Sequence, residues 1–197
     1  MGEDGEKHHA KVAKGKQVNM LPYRRKMQII FQDPSASLDP RMTVGEIIGE
    51  ALDIHKLCAS KQERTDRIKE LLGMVGLNTE HANRYPHEFS GGQQQRVGIA
   101  RAFVGKPKVI FADEPTGNLD SKTSRQVLLR MLEMSKKDQI TLVMVTHEPS
   151  LAACADRIIT ILDGRVQSDV VQPDEVKEKN RAALAEELAR IEAEEAA

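Results

Sequence analysis

The feature that most constrains this chain is a set of three short apolar runs, each of which stops abruptly at polar residues. The runs are "KMQIIF", "KVIFA" and "ITLVMVT", and they lead into Gln32, into Asp113 with Glu114, and into His147. Continuous apolar runs of this length predict buried strands, and helical patterns separate them. Strands that alternate with helices indicate an α/β fold with a mainly parallel sheet. Ligands of such sheets bind beyond the carboxyl ends of the strands, so we expect these polar residues to share one site.

Three helix starts carry the spacing of a capping box, in which two side chains three residues apart bond each other's backbone. The pairs are Thr43 with Glu46, Ser60 with Glu63, and Ser90 with Gln93. The third pair encloses Gly91 and Gly92, and the backbone N–H groups of such a helix start attract anions. We therefore predict a phosphate-binding helix start at Ser90, although a plain capped helix with a flexible entry explains the same residues.

The acidic pair at the end of the second run suits phosphate chemistry. Adjacent residues of a strand point to opposite sides, so Asp113 and Glu114 can take different tasks. One carboxylate can hold Mg²⁺, and the other can orient or deprotonate an attacking water. His147 could stabilise charge on a phosphoryl group, and Gln32 could reach a metal ion or water. Each of the four also has an ordinary structural explanation, as a solvated strand end, a helix cap or a loop residue.

Composition sets the limits of the chain. Its 197 residues are 40% hydrophobic and 30% charged, which suits one domain with a real core. A net charge of -1 and an aromatic content of 3% give no support for nucleic-acid binding, and we expect no such partner. We predict a disordered or irregular segment at 1–22, a globular domain at 23–172 and a charged helix at 173–197. Without an apolar run of membrane-spanning length or a signal-like start, the chain is expected to be cytoplasmic.

Taken together and in this order, the motifs resemble those of the ATP-binding subunits of ABC transporters. In that family "IIFQDP" resembles the Q-loop, "FSGGQQQR" the signature motif, "VIFADEP" Walker B, "GNLD" the D-loop and "VTHE" the switch-histidine region. Phe89 stands where the signature most often has Leu. The resemblance implies a P-loop NTPase-like ABC ATPase fold, α/β with a mainly parallel sheet. It also implies that residues 23–172 are a partial ABC ATPase domain with a helical subdomain, about residues 40–105, that carries the signature motif.

The resemblance assigns roles around a bound ATP. Asp113 would help to hold Mg²⁺, and Glu114 would be the general base for the attacking water. His147 would contact the γ-phosphate. Gln32 would touch Mg²⁺ or the water and would relay contact to the transmembrane permease subunits.

Other roles implied by the resemblance lie at a dimer interface. Asp120 would act across the boundary between two ABC ATPase subunits. Ser90, Gly91, Gly92 and Gln93 would meet the γ-phosphate of an ATP molecule held by the second subunit. The complex would lie peripherally on the cytoplasmic face of a membrane.

The two halves of the chain resemble different branches of the family. "RRKMQIIFQDPSASLDPRMTVGEIIGE" and "RYPHEFSGGQ" resemble oligopeptide and dipeptide importers. "FADEPTGNLDSKTSRQVLLRML" and "VTHEPSLAACADRIITILDGRV" resemble the lipoprotein-releasing and macrolide-export branch. The sequence therefore predicts neither the cargo nor the direction of transport.

The family's Walker A motif is missing from these residues. That motif reads G-x-x-x-x-G-K-[ST], and its amides and Lys cradle the phosphates. The nearest string, "AKVAKGKQ", has Ala10 and Gln17 at two required positions and no apolar strand before it. We expect the chain by itself to have little ATPase activity and to self-associate, because a sheet without its P-loop strand leaves an uncovered edge.

Three functions fit this pattern. The first is an ATP-hydrolysing subunit that couples hydrolysis to transport across a membrane. The second is a truncated or non-catalytic subunit that supplies only the signature face to a partner's ATP. The third is an ABC ATPase of DNA repair, a class that carries long insertions between Q-loop and signature. Here short helical patterns fill the interval from Gln32 to Ser90, which favours a transporter.

Overall fold

A computed structural model describes residues 20–34 and 37–195 of the chain, and most of the segment predicted to be irregular lies outside them. The helices are α1 (Leu21–Arg24), α2 (Val44–Ile54), α3 (Lys61–Met74), α4 (Gly91–Phe103), α5 (Ser121–Asp138), α6 (Pro149–Ala152) and α7 (Asp174–Glu195). Short 3-10 turns lie at Thr79–Asn83 and Pro86–Glu88. The strands are β1 (Met27–Ile30), β2 (Val109–Asp113), β3 (Thr141–Val145), β4 (Arg157–Leu162) and β5 (Arg165–Val171).

The three predicted strands form one parallel sheet in the order β1-β2-β3, as the alternation of strands and helices indicated. Ile29 pairs with Phe111, and Phe111 pairs with Val143, so these three side chains form a row across the sheet. Parallel pairing places the carboxyl ends of all three strands at one edge. The polar residues that follow the strands therefore emerge together.

The two faces of this sheet differ in burial. On one face Ile30, Ile110 and Ala112 belong to the core cluster, together with apolar residues of α2, α3, α4 and α5. On the other face the row of Ile29, Phe111 and Val143 is 43%, 44% and 43% exposed. Among the described residues, the sheet is therefore covered on one side only. The exposed apolar row is unfavourable in water.

The helical region between β1 and β2 forms around apolar residues at helical spacing. Val44, Ile48, Leu71 and Leu72 are each fully buried there. Phe89, just before α4, is also buried and packs edge-on against the ring of His81, at 5.3 Å between centroids. The larger Phe at this signature position is therefore accommodated by the packing of the helical region itself.

The predicted capping boxes are present at two of three helix starts. Both reciprocal hydrogen bonds form at Thr43 and at Ser90. At the start of α3 the hydroxyl of Ser60 accepts from the backbone N–H of Glu63, but the Glu63 carboxylate accepts from Ala59 instead of Ser60. The box is thus shifted by one residue, because the side chain of Glu63 reaches a neighbouring free donor.

The C-terminal part adds a hairpin and a helix. In the hairpin β4 and β5 pair antiparallel, and Asp163 and Gly164 both have positive φ, 50° and 72°. Such a pair of values is what a tight type I′ turn requires. In α7, Leu184 is buried against α5 and α6. Among the described residues, no helix combines the length and the apolar character needed to cross a membrane.

Candidate functional site

Glu114 is the centre of a hydrogen-bonded cluster at the carboxyl edge of the parallel sheet. The Nε2 of Gln32, beyond β1, donates to Oε2 of Glu114 at 3.1 Å. The Nδ1 of His147, beyond β3, lies 2.8 Å from Oε1 of the same carboxylate. Three residues that the sequence predicted to share a site are therefore brought together, and both oxygens of Glu114 are engaged.

The backbone of Glu114 is held in an uncommon conformation. Its φ is 40°, in the left-handed region where a residue with a Cβ pays about 1–2 kcal/mol. Its N–H donates to the carbonyl of Val145 at 2.9 Å, and its own carbonyl accepts from the N–H of Gly117 at 3.1 Å. Strain of this kind persists when surrounding bonds over-determine it, and it concentrates at functional sites.

The charge of the Glu114 carboxylate acts on His147. Its hydrogen bond to the imidazole, and then its negative charge, raise the pKa of His147 above the ordinary value of 6.5. The side chain of His147 is 71% exposed, whereas that of Glu114 is 25% exposed. The histidine is thus an accessible proton-carrying group held against a more sheltered carboxylate.

Asp113 ends β2 and is exposed, on the opposite side of the strand from Ala112. Among residues 20–34 and 37–195, no group of three or more His, Cys, Asp or Glu side chains is arranged to hold a metal ion. Mg²⁺ in phosphate sites commonly takes one or two protein oxygens and completes its shell with water and phosphate. The oxygens of Asp113 and Gln32 suit such a partial set, and they do not suit an all-protein cage.

The start of α4 has the geometry expected of a capped helix with an accessible face. The Ser90 hydroxyl accepts from the N–H of Gln93 at 3.3 Å, and the Gln93 carboxamide accepts from the N–H of Ser90 at 3.0 Å. A Cβ placed on Gly91 would meet no atom within 4 Å, whereas one on Gly92 would lie 3.2 Å from Leu119. One glycine therefore faces open space, and the other touches the loop between β2 and α5.

Asp120 lies in that same loop and caps α5. Its Oδ1 accepts from the backbone N–H of Thr123 at 2.9 Å, and this bond is the main reason why the pKa of Asp120 is lowered. The carboxylate thus has a defined role inside its own chain. Its expected role across a subunit boundary stays a prediction.

Two residues at this edge were not singled out from the sequence. The Nδ2 of Asn118 donates to the carbonyl of Gln32 at 2.8 Å. The Nε2 of Gln95, on α4, donates to the carbonyl of Phe31 at 3.2 Å. Both residues lie inside motifs quoted above, but the sequence of a motif does not indicate which distant carbonyl group a polar side chain will bond.

The family to which the chain belongs follows from comparisons with known proteins. The family model described as "ABC transporter" matches residues 4–117, more than half of the chain. An oligopeptide transport ATP-binding protein of Bacillus subtilis is 51% identical over 164 residues, which are 83% of this chain and 53% of that protein. A dipeptide transport ATP-binding protein of Lactococcus lactis is 47% identical over 73% of this chain and 46% of its own length. The chain thus spans about half the length of these relatives.

Solved structures agree with the sequence comparisons. The ATP-binding cassette MJ0796, in a dimeric post-hydrolysis state bound to ADP and Pi, has a TM-score of 0.69 and is 38% identical. That match covers 76% of this chain and 64% of the cassette. A second dimeric structure of MJ0796, a bacterial ABC transporter cassette, matches at 37% identity over 79% of this chain and 68% of its own, with the same TM-score of 0.69.

The predicted cassette fold is therefore confirmed, as is the resemblance to peptide-importer ATPases. The resemblance of the second half to the lipoprotein-releasing and macrolide-export branch stays a prediction. The same family is indicated by the motifs, by the arrangement of side chains around Glu114 and by both sets of relatives. The chain belongs to the ABC transporter family.

Proposed function

We propose that the chain is the ATP-hydrolysing subunit of an ABC transporter that imports peptides. The observation that carries this proposal is the cluster at the sheet edge, where Gln32 and His147 both bond the carboxylate of Glu114. A carboxylate held in this way on a strained backbone is positioned before any substrate arrives. Positioning and electrostatics, not covalent chemistry, supply most of the catalysis of phosphoryl transfer.

In this proposal Glu114 is the general base. Both of its oxygens have donors, so the carboxylate has a fixed orientation at the carboxyl edge where a ligand of a parallel sheet binds. It would take a proton from the water that attacks the γ-phosphate. His147, accessible and with a raised pKa, would lie against the transferring phosphoryl group as a hydrogen-bond donor.

Mg²⁺ would be held by Asp113 and Gln32 together with the phosphates of ATP. The exposed carboxylate at the end of β2 and the carboxamide beyond β1 are oxygen donors of the kind that this ion takes. The ion would neutralise charge on the phosphates. The phosphate cradle itself must come from a G-x-x-x-x-G-K-[ST] loop, which these 197 residues do not contain.

The start of α4 would serve a different nucleotide, one that a second ABC ATPase subunit holds. The open space beside Gly91 and the capped first turn at Ser90 support this role, since a phosphate can approach the backbone closely there. Asp120 and Gln93 would lie at the same boundary. Permease subunits in the membrane would complete the assembly, with this chain on their cytoplasmic face. Peptide is the proposed cargo because the relatives named above carry peptide-transport names.

The test of the catalytic role supplies the missing loop in trans. The chain is mixed with a segment that carries an apolar strand, a Walker A loop and its helix, and ATP hydrolysis is measured. We expect turnover that Glu114→Gln lowers by about 100-fold or more while nucleotide binding remains, since general bases contribute factors of this size. The matched control is Glu148→Gln, because Glu148 carries a nearby carboxylate that lies outside the cluster. Equal turnover in the Glu114→Gln and Glu148→Gln chains would contradict the proposal.

The alternative is a non-catalytic subunit that lends only its signature face. The open space at Gly91 favours it independently of Glu114. Here the chain is added to an intact ABC subunit, and binding of a fluorescent ATP analogue is measured. Tighter binding that Ser90→Arg abolishes, together with no hydrolysis in the trans-complemented assay, would support the alternative over the catalytic role.

A further inference from the structure

The main chain just beyond β1 is held from two sides by carboxamide side chains. Parallel pairing of β1 ends at Ile30, so the carbonyls of Phe31 and Gln32 lie past the ladder. Backbone carbonyls need hydrogen-bond donors when they leave a sheet. Gln95 donates to the first of these carbonyls at 3.2 Å, and Asn118 donates to the second at 2.8 Å.

The two donors come from different functional elements. Gln95 lies on α4, just over one turn after the capped start at Ser90, and Asn118 lies in the loop that leads to Asp120. These elements also touch each other, because a Cβ on Gly92 would lie 3.2 Å from Leu119 and 3.7 Å from the carbonyl of Asn118. The segment at Phe31–Gln32 is therefore linked to both.

Gln95 is unusual for a side chain at its position. It is 1% exposed, and its Oε1 has no hydrogen-bond partner among the described residues. Burying an unpaired polar atom is unfavourable, and an apolar side chain of equal length would avoid that cost. The contribution that an apolar residue cannot make is the bond from Nε2 to Phe31.

We propose that Gln95 and Asn118 are positioning residues that fix the main chain at Phe31–Gln32 and thereby direct the Gln32 carboxamide to Glu114. Each donates to a main-chain carbonyl, and among the described residues neither is hydrogen-bonded to the Glu114 carboxylate, so they act through Gln32, whose Nε2 lies 3.1 Å from Oε2 of Glu114. The Gln95 bond joins α4, and the Asn118 bond joins the loop before α5, to the segment that carries Gln32. A further consequence rests on the proposed function: binding of a nucleotide at the start of α4 would change the position of Gln32 and so of the general base Glu114 in the same chain.

The deciding measurement is hydrogen–deuterium exchange of the nucleotide-free chain, followed in the peptide that covers residues 29–34. Asn118→Asp keeps the shape and removes the donor, and Gln95→Met keeps the length and removes both polar atoms. Each should raise exchange in this peptide by about 2- to 10-fold, the factor that corresponds to one lost neutral hydrogen bond. Asn118→Gln, which keeps a carboxamide donor, should restore most of the protection.

The matched control is Gln94→Met. Gln94 is the preceding carboxamide on the same helix, and its Nε2 donates to the carbonyls of Pro86 and Phe89 and not to the Q-loop. The Gln94→Met substitution should leave hydrogen–deuterium exchange at residues 29–34 unchanged. Equal exchange in wild-type, Asn118→Asp and Gln95→Met chains would overturn the inference, as would an equal rise in the control. Asn118 is exposed, so its variants decide the matter even if Gln95→Met lowers overall stability.

The link to hydrolysis is tested in the complemented assay. Asn118→Asp should lower kcat by roughly 10- to 100-fold with little change in KM, since a misplaced catalytic group costs factors of this size. In a Gln32→Ala background the same substitution should have no further effect, because the side chain through which it acts is gone. An additive loss would overturn the role of Gln32 as the intermediary. Absence of turnover in the wild-type chain would refute the proposed function, while the exchange measurement would still decide the positioning role.

Discussion

At the scale of single residues, Glu114 is held by three separate constraints. Its backbone has a φ of 40°, its N–H is bonded to β3, and its two carboxylate oxygens have donors from beyond β1 and β3. The first is a property of its own backbone, and the other two come from residues at the carboxyl ends of β1 and β3. A carboxylate held so firmly cannot turn away from a ligand at the sheet edge, which is the physical content of preorganisation.

The pairing of Glu114 with His147 predicts a measurable titration. NMR should find the pKa of His147 above its ordinary value of 6.5, because the carboxylate favours the imidazolium. Glu114→Gln should bring that pKa down towards the ordinary value. Since folding raises the pKa, the pair stabilises the fold below the ordinary value, and this contribution is lost as the pH rises through the folded value.

The control for this titration is Glu148→Gln. Glu148 is the smallest of the influences that raise the pKa of His147, so its neutralisation should produce a smaller fall than that of Glu114. Equal falls in the two variants would show that general charge, and not the hydrogen bond, sets the histidine's proton affinity.

At the start of α4, replacement of a glycine by alanine is predicted to affect the stability of the fold and the binding of a partner's ATP differently. Gly91→Ala should leave the free energy of unfolding unchanged or raise it by up to about 1 kcal/mol, because a Cβ there meets no atom and Ala favours helix. The same variant should abolish enhanced ATP binding by a partner subunit, since the methyl group occupies the open space. Urea denaturation and the fluorescent ATP assay measure the two quantities.

Gly92→Ala is the contrasting variant. Its Cβ would lie 3.2 Å from the side chain of Leu119, which must give way by a few tenths of an ångström. It should be about 1–2 kcal/mol less stable than Gly91→Ala, the usual cost of modest overpacking. A Gly91→Ala chain that binds partner ATP as well as wild type would count against a phosphate at this helix start.

At the scale of elements, α7 is attached by one buried side chain and by ion pairs. Leu184 is 4% exposed and packs with Leu128, Leu151 and Cys154, while Arg125 of α5 lies 2.6 Å from Glu187. Leu184→Ala should destabilise the fold by about 2–3 kcal/mol and expose α7 to limited proteolysis. Val176→Ala, which truncates an apolar residue of α7 that is 42% exposed, should change stability by less than about 0.5 kcal/mol.

The elements also show how far sequence reasoning reached. The three strands and their shared edge were predictable, because short apolar runs and the parallel rule settle both without any knowledge of packing. The contacts of Asn118 and Gln95 were not predictable, since a carboxamide can donate to any carbonyl that tertiary structure brings near. Leu184 was not singled out from the sequence either, although Leu184, Leu188 and Ile191 lie at helical spacing in α7 and could have indicated its packed side.

At the scale of the whole molecule, the main feature is apolar surface that the described residues leave exposed. The row of Ile29, Phe111 and Val143 crosses the whole parallel sheet, with Val145 also exposed at its edge. The hairpin carries further exposed apolar residues, namely Ile159, Ile161, Leu162, Val166, Val170 and Val171. Surfaces of this kind mark places where another polypeptide packs, and they promote association when no polypeptide covers them.

We therefore expect the purified chain of 197 residues to self-associate at micromolar concentration in analytical ultracentrifugation. Val143→Lys and Ile29→Lys should shift the population towards monomer, because a charge in the apolar row must be desolvated on association. Val176→Lys removes an exposed apolar side chain from α7 instead and should leave the distribution unchanged. Addition of the segment that carries the Walker A strand and helix should compete with self-association if that segment packs on the exposed row. A wild-type chain that sediments as a monomer, or equal effects of all three lysine substitutions, would show that the parallel sheet's apolar face does not drive association.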